Sequence, residues 1–301
     1  MLTIEEHLQA KGHETKEIRS LLENGKVFLQ GLPVGDGRRT ADITDIVVKP
    51  NAPRLKPGRD PVLLHTDDEF VVVYKPSGFL SVRASHRHED KNMMGFVYSL
   101  FGAAFPVHRL DEGTSGLMLV ALTEGTQQIL KDALERREIA RRYFAIGSGY
   151  FIKARTVDSI LQRNRGDGKR GSVAPKAKPA RMQHKKHQPK PTETVSSDIG
   201  KRAVSHFTPI EQLQGASLIE CQLETGRTHQ IRIHLSELGH PVLGDDLYSS
   251  VRVAERSRRL ALHAYSLTLE HPQSKEQMQF EIPLPDDMEK MRRTLAFTMK
   301  K

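Results

Sequence analysis

Several residue types and patterns are scarce in this chain of 301 residues, and each scarcity excludes a class of protein. The single cysteine, Cys221, excludes an intrachain disulfide framework and a zinc site built from a cysteine cluster. No stretch approaches the roughly 18 unbroken apolar residues that span a membrane, and the first residues lack the apolar core of a signal peptide. We therefore expect a cytoplasmic protein that does not associate with a membrane.

Motifs for cofactors and metals are also lacking. The sequence contains no glycine-rich phosphate loop and no dinucleotide-binding fingerprint. His229 and His234 are separated by five positions, a spacing that suits shared metal ligation on one helix poorly. We therefore predict no cofactor and no bound metal.

Positive charge, in contrast, is in excess. The chain has 46 Lys and Arg against 37 Asp and Glu, a formal net charge of +9. Residues 163–202 contain 12 of the basic and 3 of the acidic residues, so this stretch carries the whole net charge. Such a cluster indicates binding to a polyanion, and the alternative is that it only aids solubility. Because residues 164–200 contain few large apolar side chains, we predict a basic, flexible insertion there.

The chain divides into two predicted domains. Residues 1–58 are expected to form a small α+β domain, in which Thr3 and Glu6 match the capping box of a first helix. The proline-rich run 51–60 is typical of a linker. Residues 59–301 mix strand and helix patterns without a regular βαβ rhythm, which favours an α+β fold over a doubly wound one.

Hydrophobic patterns in the larger domain predict individual elements. The expected strands are residues 62–64, 70–74, 117–122, 143–146, 217–223, 262–269 and 279–282. A helix is expected after Thr123, which can cap it. Another helix is expected from Thr228, as its cap, to Leu238 before Gly239.

The string HRLDEGTSG at 108–116 is the first candidate for chemistry. It places Asp111 in a loop punctuated by glycines, directly before the expected buried strand at 117–122. A carboxylate in such a loop can be held in a cleft while it remains ionised. A lone Arg-x-Asp tripeptide is more often a solvated loop, so the interpretation depends on the full string.

Two further segments carry candidate residues. The segment LETGRTHQIRIHL at 223–235 places Arg227 and free backbone N–H groups at a helix start, which favours anion binding. Its other arginine and histidine side chains fit contacts to a phosphate or a carboxylate. Tyr143 follows two arginines at the start of a strand, where it is either an edge residue of the core or a platform for an extruded base.

These strings together resemble the RNA pseudouridine synthases of the large-subunit ribosomal RNA type, the RluA-like family. The matching strings are YKPSG at 74–78, HRLDEGTSGLMLVAL at 108–122, LETGRTHQIRIHLSELGHPVLGDDLY at 223–248 and LALHAYSLTLEHP at 260–272. The resemblance covers about residues 61–301. Residues 1–58 resemble, more loosely, the alpha-L RNA-binding domain, mainly through Ile18–Arg19 and Gly25–Val27.

The resemblance implies a fold and an activity. The fold would be a central mixed, largely antiparallel sheet flanked by helices, with the small RNA-binding domain in front. The activity would be isomerisation of uridines to pseudouridine in structured RNA, with ribosomal RNA as the default substrate and transfer RNA as the alternative. The enzyme would act as a monomer, without a required protein partner and without a cofactor.

The resemblance also implies roles for particular residues. Asp111 matches the nucleophilic aspartate, Arg227 the basic residue that pairs with it, and Tyr143 the tyrosine that packs on the uracil and is implicated in proton removal. The implied contacts to RNA are His108, Arg109, His229, Gln230 and Arg232, with Arg19 and Lys26 in the N-terminal domain. Whether the carboxylate attacks the anomeric carbon, or a glycal-like intermediate forms, stays open.

Two other functions stay open at this point. A non-catalytic RNA-binding or ribosome-assembly factor could keep the fold, although the presence of Asp111, Tyr143 and Arg227 argues against loss of activity. A phosphodiesterase would need a carboxylate cluster for metals or a paired-histidine arrangement, and the spacing of such residues is not convincing here.

Overall fold

The structure is a computed structural model of the chain, and it describes residues 2–40, 42, 45–52, 58–83, 92–164, 169–172 and 200–297. The boundary expected near residue 58 lies beside residues 53–57, which are outside the described residues. Most of the expected insertion, residues 165–168 and 173–199, is also outside them.

The N-terminal part is a small unit with its own hydrophobic core. Its elements are α1 (Ile4–Ala10), α2 (Thr15–Glu23), β1 (Val27–Leu29), β2 (Leu32–Pro33) and β3 (Ile46–Val48). The three strands pair antiparallel in the order β2-β1-β3. The capping box is confirmed, because the Thr3 side chain accepts from the Glu6 N–H while the Glu6 carboxylate accepts from the Thr3 N–H.

The rest of the described chain is built on one large sheet. Its strands are β4 (Val62–Thr66), β5 (Phe70–Lys75), β6 (Phe105–Pro106), β7 (Ser115–Ala121), β8 (Ala140–Ser148), β9 (Arg155–Gln162), β10 (Gly171–Ser172), β11 (Lys201–Leu213), β12 (Ala216–Leu223), β13 (Leu262–Glu270) and β14 (Gln277–Glu281). The helices are α3 (Met93–Phe101), α4 (Glu124–Glu135), α5 (Gln230–Glu237), α6 (Val251–Ala254) and α7 (Asp286–Leu295).

The strand order confirms the predicted fold class. The order is β10-β9-β11-β12-β8-β13-β7-β5-β4, with β14 added to β13 and β6 added to β7. Only β13 and β7 run parallel among these described strands, and the other pairs are antiparallel. The sheet is therefore mixed and largely antiparallel, and the fold is α+β.

Local signals account for two of the predicted elements. In the β4–β5 hairpin, the Asp67 carboxylate accepts hydrogen bonds from the N–H groups of Glu69 and Phe70 at 2.8 and 2.9 Å, which fixes the turn. At the start of α4, the Thr123 side chain accepts from the Thr126 N–H at 3.1 Å and caps the helix.

The centre of the sheet is covered on both faces. Every residue of β5 and β7 is buried. Side chains alternate between two cores, with Val71, Val73 and Met118 in one and Val72 and Leu119 in the other. These two strands are therefore a rigid platform, and the loop that leads into β7 is held at its edge.

Helix α7 connects the N-terminal unit to the large sheet. The Asp286 carboxylate accepts from the Gly35 N–H at 2.8 Å and lies 3.4 Å from the Arg39 guanidinium. Arg293 donates to the Arg38 carbonyl at 2.7 Å. Burial raises the pKa of Asp286 and lowers that of Arg39. The N-terminal unit thus contacts α7 through polar interactions, of which the Arg39–Asp286 pair is partly withdrawn from water.

No described helix has the length and apolar character needed to cross a membrane. Within the expected basic insertion, the described residues 169–172 include β10, which pairs with β9.

Buried neutral histidines predict a dependence of stability on pH. His263 joins β13 to β7: its Nε2–H donates to the Pro283 carbonyl at 3.1 Å, and its Nδ1 accepts from the Ser115 hydroxyl at 2.8 Å. Burial, with a smaller contribution from Arg259, lowers the pKa of His263 to about 3. Burial also lowers the pKa of His234 to about 4. Neither folded site takes up a proton readily in mildly acidic solution.

We expect the free energy of unfolding to fall as the pH falls below about 6.5, the pKa of an unfolded histidine. In this window the unfolded state binds more protons than the folded state, so His263 contributes a slope of about 1.4 kcal/mol per pH unit. Urea unfolding at pH 7.5, 6 and 5 measures this slope. His263→Asn should reduce the slope by about that amount relative to the wild type, and equal slopes would contradict the assignment.

Candidate active site

A cleft of about 840 Å³ opens beside the loop that precedes β7. This volume lies within the range of clefts that bind small ligands. Its cationic lining residues are Arg83, Arg109, Lys131, Arg137, Arg141, Arg202, Arg227 and Arg232. Its acidic lining residues are Asp111, Glu135 and Glu224. The excess of cations over carboxylates favours an anionic ligand, and a nucleic acid fits this requirement.

Lys75 fixes the loop from below. The fully buried ammonium group donates hydrogen bonds to the carbonyl oxygens of Pro76, Phe79 and Glu112, at 3.0, 2.6 and 3.0 Å. Burial, followed by the repulsion of Arg259, lowers the pKa of Lys75 to about 7. The hydrogen bonds nevertheless use all three donors of an ammonium, so Lys75 of the YKPSG string at 74–78 braces the loop that carries Asp111.

Two serines anchor the same loop on either side of the carboxylate. The Ser81 hydroxyl accepts from the Leu110 N–H at 2.9 Å and donates to the Leu110 carbonyl at 2.7 Å. The Ser77 hydroxyl donates to the Gly113 carbonyl at 2.8 Å. The backbone around Asp111 is therefore held before and after the residue.

Asp111 lies in the cleft opposite Arg232 of α5. An oxygen of its carboxylate, Oδ2, is 3.4 Å from Arg232 Nη1. The Asp111 side chain is 24% exposed, whereas that of Arg232 is only 7% exposed. The carboxylate therefore meets a fixed cation on one side and the open cleft on the other, a geometry suited to a reacting group.

Asp245 orients Arg232. Arg232 Nε and Nη2 donate to the two oxygens of Asp245 at 2.7 and 2.8 Å, and Asp245 is fully buried. The guanidinium lies over the Tyr248 ring, 5.2 Å from its centroid. This two-point pairing fixes the plane of the guanidinium and leaves Nη1 for Asp111. The attraction of Asp245 and Asp111 raises the pKa of Arg232 despite burial.

His229 completes the surroundings of Asp111. Its Nε2 is 3.9 Å from Asp111 Oδ1, and its Nδ1 is 2.9 Å from the Tyr248 hydroxyl. Burial lowers the pKa of His229, so the imidazole is neutral near pH 7. The backbone of His229 has a φ of 59°, in the left-handed region that residues with a Cβ seldom adopt. A strained turn thus directs this imidazole toward the carboxylate.

The start of α5 differs from the expectation. The helix begins at Gln230, and Thr228 does not cap it. The Gln230 amide oxygen accepts from the Arg227 N–H at 3.0 Å and the Thr225 hydroxyl at 2.8 Å, and so holds the segment that precedes the helix. Its NH2 group donates to the Val204 carbonyl and the Ser205 hydroxyl. Both ends of the buried Gln230 amide are bonded within the protein, and the contact of Gln230 with RNA stays a prediction.

The structure places Arg232, and not the expected Arg227, beside Asp111, and a catalytic role of Arg227 stays a prediction. Arg227 is exposed at the cleft, and its Nε donates to the Arg202 carbonyl at 3.0 Å. The guanidinium that pairs with Asp111 belongs to Arg232, which had been predicted to contact RNA. Arg232 is buried and engaged with carboxylates, and its contact with RNA stays a prediction.

Three further predicted residues, two from the string at 108–116 and one from β8, line the cleft with different surroundings. Tyr143 is 6% exposed, and burial raises the pKa of its phenol. Arg109 is exposed, where it can reach a ligand. His108 Nε2 accepts from the Leu119 N–H at 3.1 Å, and burial lowers the pKa of His108 to about 3. The contact of His108 with RNA stays a prediction, and it would be made by a neutral imidazole.

Arg19 and Lys26, the predicted RNA contacts of the N-terminal unit, have different surroundings. Arg19 is exposed on α2. Lys26 is partly buried, and its ammonium donates to the Ala52 carbonyl. Arg19 is free to meet RNA, whereas Lys26 is engaged within its own unit.

In the described part of the chain, no group of three His, Cys, Asp or Glu side chains is arranged to hold a metal ion. His234 is fully buried in α5, and its ring nitrogens bond to Ser205 and Ser159 at 3.0 Å each. His229 and His234 therefore have separate partners.

The sequence reasoning missed the roles of Asp245 and Tyr248. Both belong to the matching segment 223–248, as part of GDDLY. The one signal in the sequence is that Asp245 has no basic residue close to it along the chain, which indicates a partner from elsewhere in the fold. Asp245 also accepts from the Leu247 and Tyr248 N–H groups at 2.9 and 3.0 Å, which folds the segment back onto Arg232.

Comparison with known proteins shows the family. The model of the family described as RNA pseudouridylate synthase matches residues 69–237, more than half of the chain. A relative from Zymomonas mobilis, named ribosomal large subunit pseudouridine synthase D, is 34% identical over 243 residues, or 75% of this chain and 70% of the relative. The chain belongs to the RNA pseudouridylate synthase family and is an isomerase.

Two further comparisons extend this result. A Bacillus subtilis relative, named uncharacterized RNA pseudouridine synthase YlyB, is 30% identical over 286 residues, covering 90% of this chain and 86% of the relative. The solved structure of human RNA pseudouridylate synthase domain containing 1 has the same fold, with a TM-score of 0.58 and 23% identity. It covers 76% of this chain and 85% of the human chain. Family membership argues against both a non-catalytic factor and a phosphodiesterase.

Proposed function

We propose that this enzyme isomerises uridines of large-subunit ribosomal RNA to pseudouridine, with Asp111 as the catalytic carboxylate. The names of relatives such as the Zymomonas mobilis protein support ribosomal RNA as the substrate. We further propose that it acts in the cytoplasm as a monomer without a protein partner.

The observation that carries the proposal is the position of Asp111. Its side chain is partly exposed to a cationic cleft, and its carboxylate is held 3.4 Å from the Arg232 guanidinium. A carboxylate of this kind can attack the anomeric carbon of a nucleoside, or stabilise positive charge that develops there. The buried Arg232–Asp245 pair keeps it oriented without a large rearrangement during the reaction.

The reaction balances within the nucleoside. The bond between N1 and C1′ breaks, a bond between C5 and C1′ forms, and a proton is lost from C5 while N1 gains one. No electrons are exchanged with a second molecule, so we propose that the reaction uses no cofactor.

Tyr143 is proposed to pack on the extruded uracil. An aromatic ring at the wall of the cleft offers a face for stacking. Because burial raises the pKa of Tyr143, its phenol is protonated near neutral pH, and it would have to pass on this proton before it could remove one from C5. The exposed Arg109 is proposed to support the RNA after the uridine leaves its stack.

Residues 1–58 are proposed to be an RNA-binding domain that guides the substrate to the cleft, with the basic stretch within 164–200 as a second contact. Arg19, an exposed cation of α2, supports this role. Arg19→Gln should lower the slope of log affinity against log salt by about 1 without changing the melting temperature. Binding isotherms at several salt concentrations measure this, and an unchanged slope would remove Arg19 from the interface.

Pseudouridine mapping tests the function. Total RNA from cells with and without the gene is compared at single-nucleotide resolution. We expect defined sites in large-subunit ribosomal RNA to lose pseudouridine without the gene and to regain it with the wild-type gene but not with Asp111→Asn. Changes confined to transfer RNA would replace the proposed substrate, and no change at any site would contradict the proposed activity.

A further inference from the structure

Arg141 lies on the same face of β8 as Tyr143, and this face is turned toward the cleft. The burial pattern of β8 alternates, with Arg141 and Tyr143 buried and Arg142 exposed on the opposite side. Side chains two residues apart on a strand share a face. Both Arg141 and Tyr143 line the cleft. A cation therefore lies beside the ring on which the uracil is proposed to pack.

This cation lacks an anionic partner among the residues that the structure describes. Arg141 is 8% exposed, and its Nε is buried without a hydrogen-bond partner. Two carboxylates of the cleft are engaged elsewhere: Asp111 pairs with Arg232, and Glu224 pairs with Arg137. An unpaired charge withdrawn from water is unfavourable, and it marks a place where a ligand with the opposite charge is stabilised.

The backbone at Gly226 confines the guanidinium. A Cβ built on Gly226 would lie 2.7 Å from Arg141 Nη1 and 3.6 Å from Cζ. The segment that leads to Arg227 thus packs directly against the Arg141 head group and restricts its movement. A confined guanidinium loses little conformational freedom when it binds, which favours its use as a ligand contact.

We propose that Arg141 binds a phosphate of the target nucleotide and so holds the extruded uridine over Asp111. This rests on the proposed function, since an extruded nucleotide brings its flanking phosphates into the cleft. A phosphate supplies the negative charge that Arg141 lacks, and the planar guanidinium can bond two of its oxygens at once. A uracil carbonyl is neutral and compensates a buried charge less well.

The experiment removes the charge from each side of the contact. Short RNA hairpins carry the uridine found by mapping, and in each hairpin one phosphate next to this uridine is replaced by a neutral methylphosphonate. Wild type, Arg141→Met and Arg141→Lys are assayed for kcat and KM. Arg142→Met is the matched control, because it removes a neighbouring cation from the opposite face of the same strand.

On unmodified RNA we expect Arg141→Met to raise KM by at least about tenfold, while Arg141→Lys recovers part of the loss and Arg142→Met changes KM by less than about threefold. Methylphosphonate at one flanking position should raise the KM of the wild type by a similar factor. The same replacement should change the KM of Arg141→Met by less than about twofold, because the guanidinium that would bind this phosphate is already absent.

The proposal would be overturned if methylphosphonate raised KM equally for wild type and Arg141→Met at every position. An unchanged KM for Arg141→Met on unmodified RNA would also overturn it. If Arg141→Met does not fold, as judged by its melting temperature, the comparison between wild type and Arg141→Lys decides by the same criterion. A wild-type enzyme that fails to modify the unmodified hairpin would contradict the proposed function instead.

Discussion

Asp111→Asn is expected to abolish pseudouridine formation. An amide keeps the shape of the carboxylate but provides neither a nucleophilic oxygen nor a negative charge, so kcat should fall by at least about 10⁴-fold. Affinity for RNA should change by less than about twofold, because the cationic wall of the cleft is retained. The melting temperature should barely change, since the Asp111 side chain is 24% exposed and its ion pair contributes little to stability.

A matched control separates the reacting carboxylate from other charges near Arg232. Asp246 lies 3.6 Å from the same guanidinium, but its side chain is 85% exposed. Asp246→Asn should therefore change kcat by less than about threefold. Single-turnover assays on one RNA, with both variants at saturating enzyme, compare the chemical step directly. Turnover by Asp111→Asn at a rate near that of the wild type would make the assignment of Asp111 wrong.

The fold could be predicted in large part because its signals are local. The turn at Asp67 and the caps at Thr3 and Thr123 depend on side chains that bond to backbone two or three residues away. The apolar runs of β5 and β7 predict buried strands because both faces of the sheet are covered. The sequence alone does not show that β13 pairs in parallel with β7, since this pairing joins residues nearly 150 positions apart.

The sequence predicts residues that line the cleft better than it predicts which of them contact one another. Asp111 and Tyr143 were expected in the site, and both line the cleft. The resemblance implies Arg227 as the partner of Asp111, whereas the structure places the Arg232 guanidinium 3.4 Å from this carboxylate. The left-handed turn at His229 directly precedes the helix that carries Arg232, and a histidine is only a weak signal for such a backbone in the sequence.

The pairing of Arg232 with Asp245 could not be predicted for a different reason. The two residues are 13 positions apart, on α5 and the segment after it, so neither helix periodicity nor strand alternation relates them. Their contact depends on how the chain folds back after α5, where Asp245 accepts from two backbone N–H groups. The sequence shows an arginine and an aspartate, and only the tertiary structure shows that together they orient Asp111.

Arg232→Met is expected to reduce both stability and turnover, for separable reasons. It leaves the fully buried Asp245 as an uncompensated charge, which should cost about 3–5 kcal/mol of unfolding free energy. It also removes the cation 3.4 Å from Asp111, so kcat should fall by at least about 100-fold. Urea unfolding and single-turnover assays measure the two effects.

The double variant Arg232→Met with Asp245→Asn separates these effects. The amide removes the buried charge while its oxygen can still accept from the Leu247 and Tyr248 N–H groups, so most of the lost stability should return. Turnover should stay low, because Asp111 still lacks its cation. Arg227→Met is the comparison, and it should leave stability within about 0.5 kcal/mol, since Arg227 is exposed. If the double variant regained wild-type turnover, Arg232 would be a structural residue only, and its orientation of Asp111 would have no part in catalysis.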